Sequence, residues 1–130
     1  MIVVDASALL EALLRTPAAK AVEKFLFDPR QTLHAPHLLD VEIAQVIRRY
    51  AENGEIDDER GRAALVDLAD FPLHRYPHDF LLPRVWELRG NLTAFDAVYV
   101  ALAEALDAPL LTRDRRLAAA PGHHARVELA

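Results

Sequence analysis

Residues 1–9 read MIVVDASAL, and this stretch decides the fold. Ile2, Val3 and Val4 form a β-branched run, Asp5 follows at once, and ASALLEALL from Ala6 has helical spacing. A buried strand that delivers a carboxylate at its C-terminal end is a device of open α/β sheets, whose ligands sit beyond the carboxyl ends of the strands. Asp5 is therefore the anchor of a candidate site. The strand begins directly after Met1, so no signal peptide is expected ahead of it.

Outward from that strand, Leu9, Leu10, Leu13 and Leu14 give the first helix an apolar face. Pro17 suits the first turn of a second helix, AAKAVEKFLF, which stops near Asp28-Pro29. Thr32–Ala35 is expected as a short strand. His37–Tyr50 is an amphipathic helix with Leu39, Ile43, Val46, Ile47 and Tyr50 on one face. Asn53-Gly54 ends it, and Asp57-Asp58 starts another helix running to about Ala69. A strand over Leu73–Arg75, a helix over Asp79–Arg89 and a stop at Gly90-Asn91 follow. Thr93–Leu106, TAFDAVYVALAEAL, is the most apolar helix, and between Thr93 and Glu104 its only charge is Asp96. Pro109–Thr112 reads as a strand, Asp114–Ala119 as a helix broken by Pro121-Gly122, and Arg126–Leu129 as an edge strand. Short apolar strands alternating with helices are the α/β pattern with a parallel sheet. No repeat or linker divides the chain, and a single domain over residues 1–130 is expected.

With 52% hydrophobic residues the chain is not disordered, and no apolar run approaches the length of a membrane span. It has no cysteine, which excludes disulfides, thiolate nucleophiles and Cys-based zinc sites and is compatible with a reducing cytoplasm. A net charge of −5 argues against nucleic-acid binding by bulk charge, while leaving room for a local basic rim. Of the fifteen basic residues only Lys20 and Lys24 are lysines, and arginine is the better phosphate fork.

Asp5, Glu42, Asp96 and Asp114 stand out among the acids by position. Each also has a plain structural explanation. Asp5 and Asp114 suit helix N-caps, and Asp96 follows Thr93 at capping-box spacing. Glu42 lies three after Leu39 and four before Val46, at the edge of the apolar stripe, where an ion pair with Arg49 would serve. Together they point elsewhere. Asp5 and Asp114 each follow a parallel strand, and Asp96 begins a helix whose N-terminus points to the same carboxyl edge of the sheet. Carboxylates converging there repel one another and are costly to desolvate, which a hard cation such as magnesium or manganese relieves. Periodicity alone does not bring Glu42 to that edge.

MIVVDASAL, Glu42 within LLDVEIAQVIRR, and LTAFDAVYVALAEALDAPLLTRDRRL together resemble the PIN-domain family, most closely its small VapC-type toxins. The third motif is the most specific: an acid in the first turn of an apolar helix, Tyr99 three residues later, then PLLTRD and a leucine. The resemblance runs from the first strand to the last helix. It implies a three-layer α/β/α fold around a mainly parallel five-stranded sheet that carries Asp5 and Asp114 at its edge. It also implies a metal-dependent endoribonuclease in which Asp5, Glu42, Asp96 and Asp114 hold one or two magnesium or manganese ions and water attacks the phosphodiester. Ser7 and Thr112 stand where the family often has a hydroxyl, and either a bond to an acid or a local cap accounts for them. Some members carry a further acid just after the position of Asp114, where this chain has Arg115, Arg116 and Leu117. Arg49, Arg113, Arg115 and Arg116 are candidate contacts for RNA phosphates, or simply solvated charges.

The resemblance further implies a cognate antitoxin laid over the acidic groove, a homodimer through the first helices, and a cytoplasmic setting with no membrane. The rival reading is a PIN-like module that binds RNA or protein without cutting. Six histidines invite a zinc site, but Pro36 and Pro77 interrupt the His34/His37 and His74/His78 pairs. There is no glycine-rich phosphate loop, and Ser7 stands where a haloacid-dehalogenase-like phosphatase needs a second Asp.

Overall fold

The structure is a computed structural model that describes residues 1–130. Five strands, β1 (Ile2–Val4), β2 (Leu33–Pro36), β3 (Leu73–Tyr76), β4 (Leu110–Thr112) and β5 (Val127–Leu129), form one sheet in the order β3-β2-β1-β4-β5. Every pairing is parallel, so the sheet is wholly rather than mainly parallel. The terminal strand is the reason: α7 (Arg115–Ala119) carries the chain back across the sheet, and β5 therefore enters beside β4 in the same direction.

The helices α1 (Ala6–Leu13), α2 (Ala19–Leu26), α3 (Leu38–Glu52) and α4 (Asp58–Asp70) pack on one another as one layer. α5 (Leu82–Glu87) and α6 (Ala94–Leu106) form the other layer, with α6 touching β1, β2 and β4. Right-handed crossovers require this division, because the chain first moves from β1 towards β3 and then jumps to β4 on the opposite side of β1. That jump makes the β1–β4 boundary a topological switch point, where the connections leave in opposite directions and a crevice opens.

Burial explains the composition of the strands and of α6. Ile2, Val3, Val4, Leu110 and Leu111 are almost fully enclosed, as strands covered on both faces must be. On α6 every residue from Ala97 to Ala103 is buried, which accounts for a helix apolar on all sides. The chain leaves α6 through Asp107 in the left-handed conformation, φ 48°.

The segment expected as one helix over Asp79–Arg89 is instead a 3-10 turn, Asp79–Leu81, followed by α5. Pro83 is the cause: it occupies the first turn of α5, and in a helix begun at Asp79 its ring would strike the Asp79 carbonyl. On α3 the core takes Leu39, Ile43 and Ile47, while Val46 and Tyr50, expected on the same face, turn to the edge of a groove. No helix is long and apolar enough to cross a membrane.

Candidate active site

The first site residue sits where β1 stops. Asp5 occupies the N-cap position of α1 with extended backbone, φ −78° and ψ 151°, but its side chain caps nothing. The carboxylate turns instead to two hydroxyls: Ser7 Oγ donates to Oδ2 at 2.8 Å and Thr112 Oγ1 donates to the same oxygen at 2.7 Å. Neither bond reaches Oδ1. The two hydroxyl oxygens stand 3.2 Å apart and are themselves fixed by the loop after β4, Ser7 accepting from the Arg113 backbone N–H and Thr112 from that of Asp114. A wholly buried Thr112 at the end of β4 thus locks a carboxylate at the end of β1, across the switch point.

Asp114 does cap a helix. Its Oδ1 accepts from the backbone N–H groups of Arg116 and Leu117 at 2.9 and 3.3 Å, which satisfies two free donors of α7. It also lines the groove, so the cap and the site position coexist in one residue. Asp96 lies in the first turn of α6, where its backbone N–H donates to Thr93 Oγ1 at 3.2 Å, and its own carboxylate makes no return capping bond. Glu42 does not pair with Arg49. Its Oε1 accepts from the Tyr99 hydroxyl at 2.6 Å, because α3 and α6 meet at this edge and the phenol is the nearer donor.

All four acids line one groove of about 650 Å³ between α1, α3, α6 and the loop after β4. Their charges are felt mutually. Burial pushes the Asp5 carboxyl up, against the pull of Thr112 and Ser7, and Asp114 pushes it further. Burial likewise raises Glu42, against its Tyr99 bond, with Asp5 and Asp96 adding to the rise. Asp96 is raised by burial and by Asp5 and Asp114, with Thr93 and Arg116 opposing. Tyr99 is held far above the usual phenol range by burial and by the Glu42 carboxylate beside it, so it keeps its proton.

No three His, Asp or Glu side chains close into a ready-made metal cluster. Carboxylates gathered along one groove repel one another, and that repulsion is what an inserted cation relieves. The donor set fits a hard divalent ion: carboxylate oxygens only, three of them on raised carboxyls, with Asp5 presenting an oxygen that no hydroxyl occupies.

The arginines divide. Arg49 and Arg113 line the groove, and Arg113 also donates to the Ala130 carbonyl at 2.9 Å. Arg116 lies in a smaller hollow beside Asp96 with Asn91 and Thr93, and Arg115 is exposed on α7 away from both. Arg48 is paired with Glu52 at 3.2 Å. The histidines meet in neither of the pairs whose spacing resembled a zinc site: His34 stacks on His74 across β2 and β3, ring centroids 4.8 Å apart, with Tyr76 and Thr32 on its two nitrogens.

Sequence reasoning placed Tyr99 in a motif without a role, and it did not single out Val41 and Phe95. Both are exposed at the groove, at 68% and 59%. The signal was present in Phe95, a large apolar residue one position before Asp96 that the buried stripe of α6 does not use.

A PIN domain family model matches residues 2–122. Ribonuclease VapC1 of Mycobacterium tuberculosis is 47% identical over 128 residues, covering 98% of this chain and 96% of the relative. Two solved structures share the fold. VapC20 of Mycobacterium tuberculosis, described as a sarcin-ricin loop cleaving toxin, superposes with a TM-score of 0.70 at 12% identity, over 92% of this chain and 94% of that one. VapBC2 of Rickettsia felis, bound to a DNA fragment from its promoter, gives a TM-score of 0.71 at 14% identity, over 100% and 99%. The wholly parallel sheet, the switch-point groove and the four acids along it thus coincide with a family match over nearly the whole chain, and the protein belongs to the PIN-domain family. Within that family it stands with the VapC type, as the likeness to VapC1 over almost the full length of both chains shows.

Proposed function

We propose that this protein is a magnesium- or manganese-dependent endoribonuclease that cuts single-stranded regions of RNA and acts in the cytoplasm as the toxin of a toxin–antitoxin pair. The observation that carries the reading is the set of half-buried and buried acids, Asp5, Glu42 and Asp96, whose carboxyls are raised by burial and by one another in a single groove. Unpaired, such an arrangement works against the fold, and a divalent cation gives it a purpose. The ribonuclease name of the nearly full-length relative VapC1 supports the same reading.

Asp5, Glu42, Asp96 and Asp114 are the residues that would hold the ion. When bound, the ion supplies charge neutralisation at the phosphoryl oxygens and a lowered pKa for water. Ser7 and Thr112 keep Asp5 in one orientation by occupying Oδ2. A carboxylate of the groove accepts the proton of the attacking water. Arg113 and Arg49, which line the groove, meet the phosphates of the strand, and Arg116 and Arg115 extend that contact along α7. The single-strand preference rests on Val41 and Phe95, exposed apolar surfaces beside the acids on which an unpaired base can lie.

An antitoxin with a basic side chain would find complementary charge in the same groove, and Leu10, Leu38 and Val41 along it offer apolar contact. A homodimer would use the first helices, where Phe27 is exposed and Leu14 half-buried.

The test is cleavage of single-stranded RNA by the purified protein with magnesium or manganese, with a chelator arm and the Asp5→Asn variant. Cleavage should depend on the ion and fall by at least ~100-fold in the variant, more than the loss of an outer-sphere partner produces. A pure sample that bound RNA but cut none with either ion would instead establish the non-cutting module.

A further inference from the structure

Tyr99 is wholly buried, within a run of α6 from Ala97 to Ala103 in which every residue is buried. A phenol enclosed to that degree needs a partner for its hydroxyl, and phenylalanine would fill the same space without that demand. The partner is not a backbone carbonyl or another core group. It is Glu42 Oε1, 2.6 Å away on α3 and 57 residues distant in the chain. The bond joins the two helical layers at the acidic groove, and Tyr99 sits on the helix that also carries Asp96.

The arrangement repeats what surrounds Asp5. There, two hydroxyl donors occupy Oδ2 and neither engages Oδ1. At Glu42 one hydroxyl donor occupies Oε1 and does not engage Oε2. In both cases a neutral O–H donor takes one oxygen of the carboxylate and leaves its partner oxygen for another ligand, which is how outer hydrogen bonds orient metal-binding side chains.

We infer that Tyr99 is a positioning residue for the divalent cation, holding Glu42 by Oε1 so that Oε2 is presented as a ligand in fixed register with Asp96. The inference rests on the metal-site reading above and assigns a role to a side chain outside the four acids. The Tyr99 hydroxyl touches neither ion nor RNA; it acts through Glu42.

The experiment measures manganese binding directly, by the loss of the free-ion electron paramagnetic resonance signal, without RNA or turnover. Wild type, Tyr99→Phe, Glu42→Gln and the double variant are compared. Tyr99→Phe should weaken manganese binding by roughly 10-fold, the range expected for an outer hydrogen-bond partner. In the Glu42→Gln background the same change should add nothing, because the ligand through which Tyr99 acts has gone. Binding by Tyr99→Phe within twofold of wild type overturns the inference and leaves the metal site standing. A full additional 10-fold loss in the double variant also overturns it, since Tyr99 would then act independently of Glu42. A wild-type protein that takes up no manganese overturns the metal reading and this inference together. A further check keeps Tyr99 in place and so does not depend on the folding of the Phe variant. Magnesium should shift the Tyr99 ring resonances in NMR spectra, and Glu42→Gln should abolish that shift; ring resonances indifferent to magnesium in a protein that binds it overturn the inference.

Discussion

Burial and Asp114 hold the Asp5 carboxyl above its ordinary value although Thr112 and Ser7 both donate to it. The folded protein therefore binds this proton more tightly than the unfolded chain does. Proton linkage then makes the contribution of Asp5 to stability fall as pH rises from the ordinary carboxylate range through the raised folded value. Glu42 and Asp96, also raised, act in the same direction. Asp5→Asn removes the charge while keeping an oxygen for the two hydroxyls. At pH 7 without metal the variant should melt higher than wild type by roughly 3–6 °C, the equivalent of about 1 kcal/mol in a domain of this size. The gap should close towards pH 4. Scanning calorimetry across that range checks it, and a variant that melts below wild type at pH 7 would show that the charge is not a net burden. Thr112→Val is the complementary change: it deletes a buried donor at 2.7 Å from Asp5, and chemical denaturation should show a loss of about 1–3 kcal/mol.

At the scale of elements, two helix caps separate stability from chemistry. Asp57 caps α4 through a 2.7 Å bond from the Arg60 backbone N–H and does not line the groove. Asp57→Ala should cost about 1 kcal/mol in denaturant titrations and leave RNA cleavage at the wild-type level. Asp114 caps α7 and lines the groove at once. Asn caps as well as Asp, so Asp114→Asn should keep the wild-type melting temperature while cleavage falls by tens of fold or more, on the order of what metal-site partners contribute. If Asp114→Asn cut RNA normally, the residue would be a cap and nothing else. Most elements were legible because their signals are local: a β-branched run for β1, a short apolar run after Pro109 for β4, the apolar stripe of α3, Pro121-Gly122 after α7. The helix over Asp79–Arg89 was misjudged because Pro83 is compatible with a helix start as well as a helix body, and only the 3-10 turn shows which.

For the whole molecule, the strand order β3-β2-β1-β4-β5 sets β1 beside β4 and brings Asp5, Asp96 and Asp114 to one crevice, while the meeting of α3 with α6 delivers Glu42. A cation seated there binds the folded chain and not the unfolded one, so it raises stability by mass action. Manganese at about 100 times its dissociation constant should add about 2.7 kcal/mol. The rise in melting temperature should be larger at pH 7 than at pH 5, because protons compete for the raised carboxyls of Asp5, Glu42 and Asp96. Scanning fluorimetry with and without manganese at the two pH values tests this, and equal shifts at both would place the ion on other groups.

From the sequence alone came the α/β class, the boundaries of most elements and the shared edge of Asp5 and Asp114, since parallel strands end on the same side wherever they stand in the sheet. Those features follow from the periodicity and punctuation of short segments. The tertiary structure decided which carboxylate oxygen each hydroxyl takes, that Glu42 meets Tyr99 rather than Arg49, and that β1 lies against β4. Thr112 reaches Asp5 over 107 residues of chain and Tyr99 reaches Glu42 over 57. No local pattern records such meetings, because they depend on the order in which strands pack and on where two helices from opposite layers touch.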